Sequence, residues 1–287
     1  MPQVIANYSF SFNNQVFGGT GSQYQIQSVD GLESLPGIRN QDDNRGYADG
    51  MFSGRDFLGG RYISIIFNTF ASTTASAQAN YNLIQQALLP QSSGTTPLYF
   101  ILSNAGEEQV VYARVRGLNT IVDPNYTYGY ITSQVQFFCP DPNYYNSNTQ
   151  TATLAYSNPT GRIYNRVYNL VYGGGSATLT TSVDNNGWAT TYPLITLYGP
   201  ITNPVLGNST QNAQLNFNVA MSSADVLVVD LQNKLVTLNG NPARNTLISG
   251  TWFSASPGNN QFYLSGNAGS TLVGVTEAVV TWQSAFI

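Results

Sequence analysis

Apolar residues recur along this chain mostly at every second position, in short runs punctuated by glycine, asparagine and proline. From Asn7 to Val29 the positions Tyr8, Phe10 and Phe12 alternate, and Gln23-Tyr24-Gln25-Ile26-Gln27 alternates again beyond Gly18-Gly19-Thr20-Gly21. Period two with a glycine break predicts strand, turn and strand. A polar segment with seven glycines and most of the clustered charge then runs from Asp30 to Arg61, and it delivers a core strand, Tyr62-Ile63-Ser64-Ile65-Ile66-Phe67.

One segment has helical spacing. Ala77, Tyr81, Ile84 and Leu88 fall on one face, Ser72-Thr73-Thr74 supplies N-caps and Pro90 ends the pattern, so a helix is predicted over 74–89. Strands follow at 97–103, 109–117 and 130–138, with turn residues Asn104-Ala105-Gly106 between the first two and Asp141-Pro142-Asn143 after the last. Residues 144–175 are rich in Asn, Tyr, Thr and Gly and end in Gly173-Gly174-Gly175, a composition that marks a boundary. Beyond it, eight short strands are predicted at 177–183, 193–198, 213–220, 225–231, 234–238, 251–254, 261–264 and 277–282. That spacing belongs to a sandwich or jelly roll.

The predicted fold is therefore mainly β in two domains. Residues 1–150 form an N-terminal β-sandwich or split barrel with one helix, 151–175 a Tyr/Gly-rich linker, and 176–287 a C-terminal β-sandwich.

Composition sharpens this. Only 8% of the 287 residues are charged, against roughly a quarter in a usual soluble domain, and Asn, Gln, Ser, Thr and Tyr take their place. The net charge is −4, and Lys234 is the sole lysine beside nine arginines. A negative chain without a basic run has little to set against a phosphate backbone or an anionic membrane, so nucleic-acid specificity is not expected. No apolar run is long enough for membrane insertion, and the first residues lack a signal-peptide pattern. Cys139 stands alone, which rules out an intramolecular disulfide and reads as a buried thiol.

Catalytic chemistry is thin. With no histidine and one cysteine, the commonest general base, triad member and metal ligands are missing. Glu107-Glu108 and Asp42-Asp43 could serve as paired carboxylates but read better as solvated surface. Gln41-Asp42-Asp43-Asn44 and Asp184-Asn185-Asn186-Gly187 group oxygens without the spacing of a calcium loop. No catalytic, metal or cofactor site is assigned, and no enzyme is expected. Tyr144-Tyr145, Tyr156, Tyr164, Tyr168 and Tyr172 could stack on sugars but suit core or subunit contacts better.

The polar segment resembles a family. Leu32-Glu33-Ser34-Leu35-Pro36-Gly37-Ile38-Arg39, Asp49-Gly50, Gly54-Arg55-Asp56 and Leu58-Gly59-Gly60-Arg61-Tyr62-Ile63 are similar to the glycine- and arginine-rich loop of siphophage distal tail proteins. Phe137-Phe138-Cys139-Pro140-Asp141-Pro142-Asn143-Tyr144 looks like the end of that family's first domain. Pro193-Leu194-Ile195-Thr196-Leu197-Tyr198-Gly199, Asp225-Val226-Leu227-Val228-Val229-Asp230, Trp252 and Pro257-Gly258-Asn259-Asn260 look like its galectin-like second domain.

The resemblance implies a structural virion protein at the tail tip, assembled in the host cytoplasm. Its copies would form a hexameric ring joining the tail tube protein to the hub or central fibre, with tape measure and receptor-binding proteins as further partners. Cyclic assembly needs two complementary patches per subunit. Arg39, Arg45, Asp49, Arg55, Asp56 and Arg61 are the interface candidates, with Asp42 and Asp43 opposite the arginines for intersubunit or intraloop pairs. Alternatives are a glycan-binding baseplate module with Trp252 or Tyr198 as platform, a glycan-degrading enzyme using two carboxylates, and another tube or baseplate protein.

Overall fold

The computed structural model describes residues 8–92, 94–102, 106–121, 123–156, 180–266 and 277–287. The chain divides into two compact units, Met1–Asn148 and Thr149–Phe286.

The first unit opens with a hairpin of β1 (Ser9–Phe12) and β2 (Gln15–Gly18), turned at Asn13 and Asn14 with φ of 47° and 62°. Left-handed conformation at both positions fits a primed two-residue turn. The alternation at Tyr8–Phe12 predicts only one strand here, because Asn-Asn carries no glycine to announce the turn. Next comes β3 (Tyr24–Asp30), then a long excursion holding β4 (Ile38–Arg39), β5 (Asp43–Asn44), β6 (Met51–Phe52) and β7 (Phe57–Leu58). The chain returns through β8 (Arg61–Phe70), whose Ile63, Ile65 and Phe67 alternate inward as expected.

Helix α1 (Thr74–Ala87) starts at a reciprocal cap. Ser76 N donates to Thr73 Oγ1 and Thr73 N to Ser76 Oγ, each at 3.1 Å, so two otherwise orphaned donors are satisfied. Ala77, Ile84 and Leu88 are buried. The helix ends two residues short of the expected boundary, with Leu88 as its cap and Pro90 just beyond.

Four more strands complete the unit: β9 (Thr96–Ile101), β10 (Gln109–Ile121), β11 (Tyr130–Cys139) and β12 (Tyr144–Asn146). Of the turn expected at Asn104-Ala105-Gly106, the first two residues lie outside the described ones. The long β10 serves two sheets. Gln109–Ala113 pair with β9, Arg114–Ile121 with β11, and the register shifts between Val115 and Gly117. A bulge in a shared strand is how a sheet turns a corner. The path β2-β1-β9-β10-β11-β8-β3 stays open, as a β-sandwich or split barrel requires. Its core is aromatic: Phe10 stacks on Phe17 at 4.8 Å, Phe17 meets Phe67 at 5.2 Å and Phe12 meets Phe137 at 5.1 Å. Such pairs contribute about 0.5–1.5 kcal/mol each beyond the area they bury.

In the second unit, β13 (Gln150–Ala155), β14 (Thr180–Asn185), β15 (Leu194–Tyr198), β16 (Ile201–Thr202), β17 (Pro204–Asn208), β18 (Ala213–Phe217) and β19 (Ala220–Met221) come first. They are followed by β20 (Val226–Asp230), β21 (Leu235–Leu238), β22 (Asn241–Pro242), β23 (Leu247–Gly250), β24 (Gly258–Gly266) and β25 (Glu277–Trp282). Among the described residues a six-stranded sheet, β13-β25-β15-β20-β21-β22, faces a five-stranded one, β14-β24-β17-β18-β23. Ile195, Leu197, Leu206, Leu215, Phe217, Val229, Phe262 and Val280 fill the space between them.

Three differences from the sequence reading have physical causes. Residues 150–155, expected at the domain end and in the linker, form β13, which pairs along its whole length with β25; the rest of that linker from 157 onward lies outside the described residues. Residues 204–208 are a central strand buried at every position, although Pro204 and Gly207 suggest a turn. Proline is tolerated as the first residue of a strand, and Gly207 makes room for the Tyr263 ring, since a Cβ there would lie 2.3 Å from its Cζ. The strand expected at 251–254 is absent. Side chains occupy its backbone instead: Asn208 Nδ2 donates to Ser254 O at 2.8 Å, and Ser254 N donates to Gln211 Oε1 at 3.1 Å.

Candidate subunit interface

The excursion between β3 and β8 is an exposed arm. Its two legs pair antiparallel at Ile38–Leu58 and Arg39–Phe57, and again at Asp43–Phe52 and Asn44–Met51. Close approach is obligatory: a Cβ on Gly54 would sit 2.0 Å from Gln41 O. Polar groups lock the legs together. Asp42 Oδ1 accepts from Gly54 N at 2.8 Å, Gly59 N donates to Gly37 O at 2.7 Å, and at the tip Arg45 N donates to Gly50 O at 3.4 Å.

Every residue from Gly37 to Phe57 is exposed. At the strand rise, the leg from Gly37 to Asn44 reaches roughly 20 Å. Large apolar side chains lie along it: Ile38 is 61% exposed, Phe52 60% and Met51 52%, while Tyr47 at the tip is fully exposed. Two arginines lie over aromatic rings, Arg39 6.0 Å from the Phe57 centroid and Arg45 5.2 Å from that of Phe52. A lone two-stranded ribbon is marginal in water, and apolar side chains clustered with Arg and aromatic rings are the composition of an interface core. Burying Ile38, Met51 or Phe52 against a partner would contribute about 1.5–3 kcal/mol each.

The six interface candidates divide. Arg39, Arg45, Asp49, Arg55 and Asp56 are on the arm and exposed. Asp42 and Asp43, expected opposite the arginines, each accept a backbone hydrogen bond within the arm, from Gly54 and Asn44. Arg61 is not on the arm surface at all: it is 1% exposed and anchors the arm's base. Its Nη1 donates to Gly31 O at 2.9 Å, to Ser34 O at 2.7 Å and to Leu32 O, and its Nε donates to Pro142 O at 2.9 Å. Buried carbonyls need donors, and a guanidinium offers five in a fixed fork. Burial lowers the Arg61 pKa from its ordinary value. It also raises that of Tyr144, whose ring lies 5.6 Å from the guanidinium, and pushes the Cys139 thiol up to about 12, with Arg61 opposing that rise.

Sequence reasoning missed the arm's apolar residues and a second patch beside its base. There Tyr62, 69% exposed, meets Phe138 at 4.9 Å, and Arg116 lies 5.2 Å over the same Phe138 ring. Tyr62 alternates with inward Ile63, so period two alone assigns it to the outer face. Of the tyrosines read as a cluster, Tyr144 and Tyr145 are buried and Tyr156 packs on the second unit's core, whereas Tyr164, Tyr168 and Tyr172 lie outside the described residues.

Residues 186–278 match the family model of the siphovirus-type tail component, C-terminal domain. Curated proteins give no significant match. Among solved structures, the Dit protein (gp 19.1) of phage SPP1, presented as a paradigm of the hub adsorption apparatus in phages infecting Gram-positive hosts, aligns with a TM-score of 0.65 at 16% identity over 97% of this chain and 99% of its own. The baseplate of phage P2 in its activated conformation with calcium aligns at 8% identity over 96% and 97% of the two chains, with a TM-score of 0.47 that adds nothing to the fold assignment. The chain thus has the fold of SPP1 Dit over nearly its whole length, and in its second unit it matches the siphovirus-type tail component, C-terminal domain, by sequence as well.

Proposed function

We propose that this chain is a structural protein of a long-tailed phage, a distal tail protein whose copies close a ring at the tail tip. The observation that carries this reading is the arm, residues 37–57, ordered by its own hydrogen bonds while Ile38, Met51 and Phe52 stay more than half exposed among the described residues. The fold shared with SPP1 Dit and the tail-component match over residues 186–278 support it.

Head-to-tail closure needs a donor surface and an acceptor surface on each subunit. The arm is the donor, and the Tyr62–Phe138–Arg116 patch is the acceptor. A ring of about six copies would continue the tube channel on one side and seat the hub on the other, with the second unit as a docking platform. Its work is mechanical and uses no cofactor.

Light scattering of the purified chain, followed by electron-microscope class averages, tests this. A closed ring with a central channel is expected, and Phe52→Ser should shift it to monomer with circular dichroism unchanged. A wild type that stays monomeric at all concentrations, alone and with tube or hub protein, overturns it.

A further inference from the structure

The two outer faces of the second unit's sandwich differ in chemistry. On the six-stranded sheet, cross-strand rows such as Val279–Thr196–Val228–Thr237 present methyl groups. On the five-stranded sheet the outward positions of β14 and β24 present amides and hydroxyls in one connected network. Asn259 Nδ2 donates to Ser182 Oγ at 2.9 Å and to Asp184 Oδ1 at 2.5 Å. Gln261 Nε2 donates to Ser182 Oγ at 3.0 Å and to Asn259 Oδ1 at 2.5 Å.

Both amide nitrogens therefore spend both hydrogens inside the network. What the network leaves over is acceptors, Gln261 Oε1 and Asp184 Oδ2, which receive no donor among the described residues. Two strand positions further on, about 7 Å away, lies Tyr263. Its ring packs on Gly207, and its hydroxyl donates to Gln214 Oε1 at 2.8 Å. Contact on one side and a bond at its end fix the ring before any ligand arrives, which lowers the entropy cost of using it.

A ligand for this row must supply hydrogen-bond donors and a flat apolar surface. It must also not be anionic: the five strands of the sheet contain no Arg or Lys, and Asp184 repels anions. Hydroxyl donors beside a C–H face are the chemistry of a neutral pyranose.

We infer that the outer face of β14 and β24 binds a neutral glycan, with Gln261 and Asp184 accepting from sugar hydroxyls and Tyr263 stacking on a sugar ring. The row Asn259–Gln261–Tyr263 spans about 13 Å, enough for more than one residue of a chain. A sheet face encloses a ligand less than a cleft does, so a single site should bind in about the millimolar range, and repeated copies would add avidity. This site is independent of the arm and of ring closure. It is also distinct from the platforms suggested by sequence, since Arg244 covers Trp252 at 4.8 Å and Tyr198 lies on the six-stranded sheet.

Saturation-transfer NMR on the full chain tests it, with neutral trisaccharides of glucose and of galactose and a sulfated trisaccharide as anionic control. Transfer to a neutral sugar is expected, falling at least fivefold in Gln261→Ala and in Tyr263→Ala and persisting in Tyr198→Ala. Tryptophan emission verifies that each variant is folded. Gln261→Ala keeps the test valid if Tyr263→Ala loosens the sheet at Gly207. No transfer from either neutral sugar, transfer unchanged in folded Gln261→Ala, or preference for the sulfated sugar overturns the inference.

Discussion

Arg61 and Pro142 stand 81 positions apart and are joined by a 2.9 Å hydrogen bond from Nε to the proline carbonyl. The same guanidinium holds Gly31, Leu32 and Ser34 through Nη1, so one side chain ties both the departing leg of the arm and the turn after β11 to the root of β8. Arg61→Met keeps much of the volume and removes every donor. The buried carbonyls it leaves should cost the first unit about 3 kcal/mol. Urea titration followed by tyrosine circular dichroism checks this. All three tryptophans, Trp188, Trp252 and Trp282, fall in the second unit, so a drop in midpoint confined to the tyrosine signal is expected.

The charged residues of the arm should act between subunits and not within one. Arg45 lies on Phe52 and contributes little to a fold that is exposed on all sides there. Arg45→Ala should leave thermal unfolding of the first unit unchanged within about 0.5 kcal/mol. Association should weaken by about 1–3 kcal/mol, seen in analytical ultracentrifugation as a roughly fivefold or greater rise in the concentration for half-assembly. Equal loss of stability and assembly would mean that the arm is part of its own subunit's core.

How much of this was legible in the sequence follows from what each residue's neighbours are. Ile63, Ile65 and Phe67 announce their strand because only their own alternation is needed, and Thr73 announces the helix through a local cap. The central strand at Pro204–Asn208 gives no such signal, since it is buried on both faces and opened by a turn residue. Arg39, Arg45 and Arg55 were found as exposed charge because Gly-rich polar sequence is exposed. Arg61 belongs to the same sequence pattern but meets carbonyls contributed 27 to 81 positions away, and no spacing rule encodes that. The amide network of β14 and β24 was invisible for the same reason: Ser182 and Asn259 are 77 positions apart.

Cys139 links burial to alkaline stability. Its thiol is displaced from an ordinary value near 9 up to about 12, chiefly by burial. With the folded pKa raised, the folded state holds its proton where the unfolded chain has lost it. The thiol's contribution is therefore complete below pH 9 and is lost as pH climbs toward 12. Urea midpoints of wild type should fall across that window more steeply than those of Cys139→Ala. Below pH 8 the two slopes should coincide, and the native thiol should resist a disulfide reagent until the protein unfolds.

In the second unit, the demand for satisfied buried polar groups concentrates on Asn185. Fully buried, it donates from Nδ2 to Ala189 O at 2.7 Å and to Ala255 O at 3.1 Å, and its Oδ1 accepts from Gly187 N and Ala285 N at 3.2 Å each. The loops at that end of the sandwich thus use one amide in place of a strand ladder. Asn185→Leu fills the volume but strands two donors and two acceptors of the backbone, and about 3–4 kcal/mol should be lost. Asn185→Asp retains the acceptor side while placing a carboxylate against two carbonyls, so it should do no better near neutral pH and should recover in part as acid protonates it. The tryptophan-monitored urea midpoint measured from pH 4 to 8 separates the cases. A flat, wild-type-like profile for both variants would mean that water or chain relaxation replaces the amide, and that the packing of Phe262 and Leu206 alone fixes the sandwich.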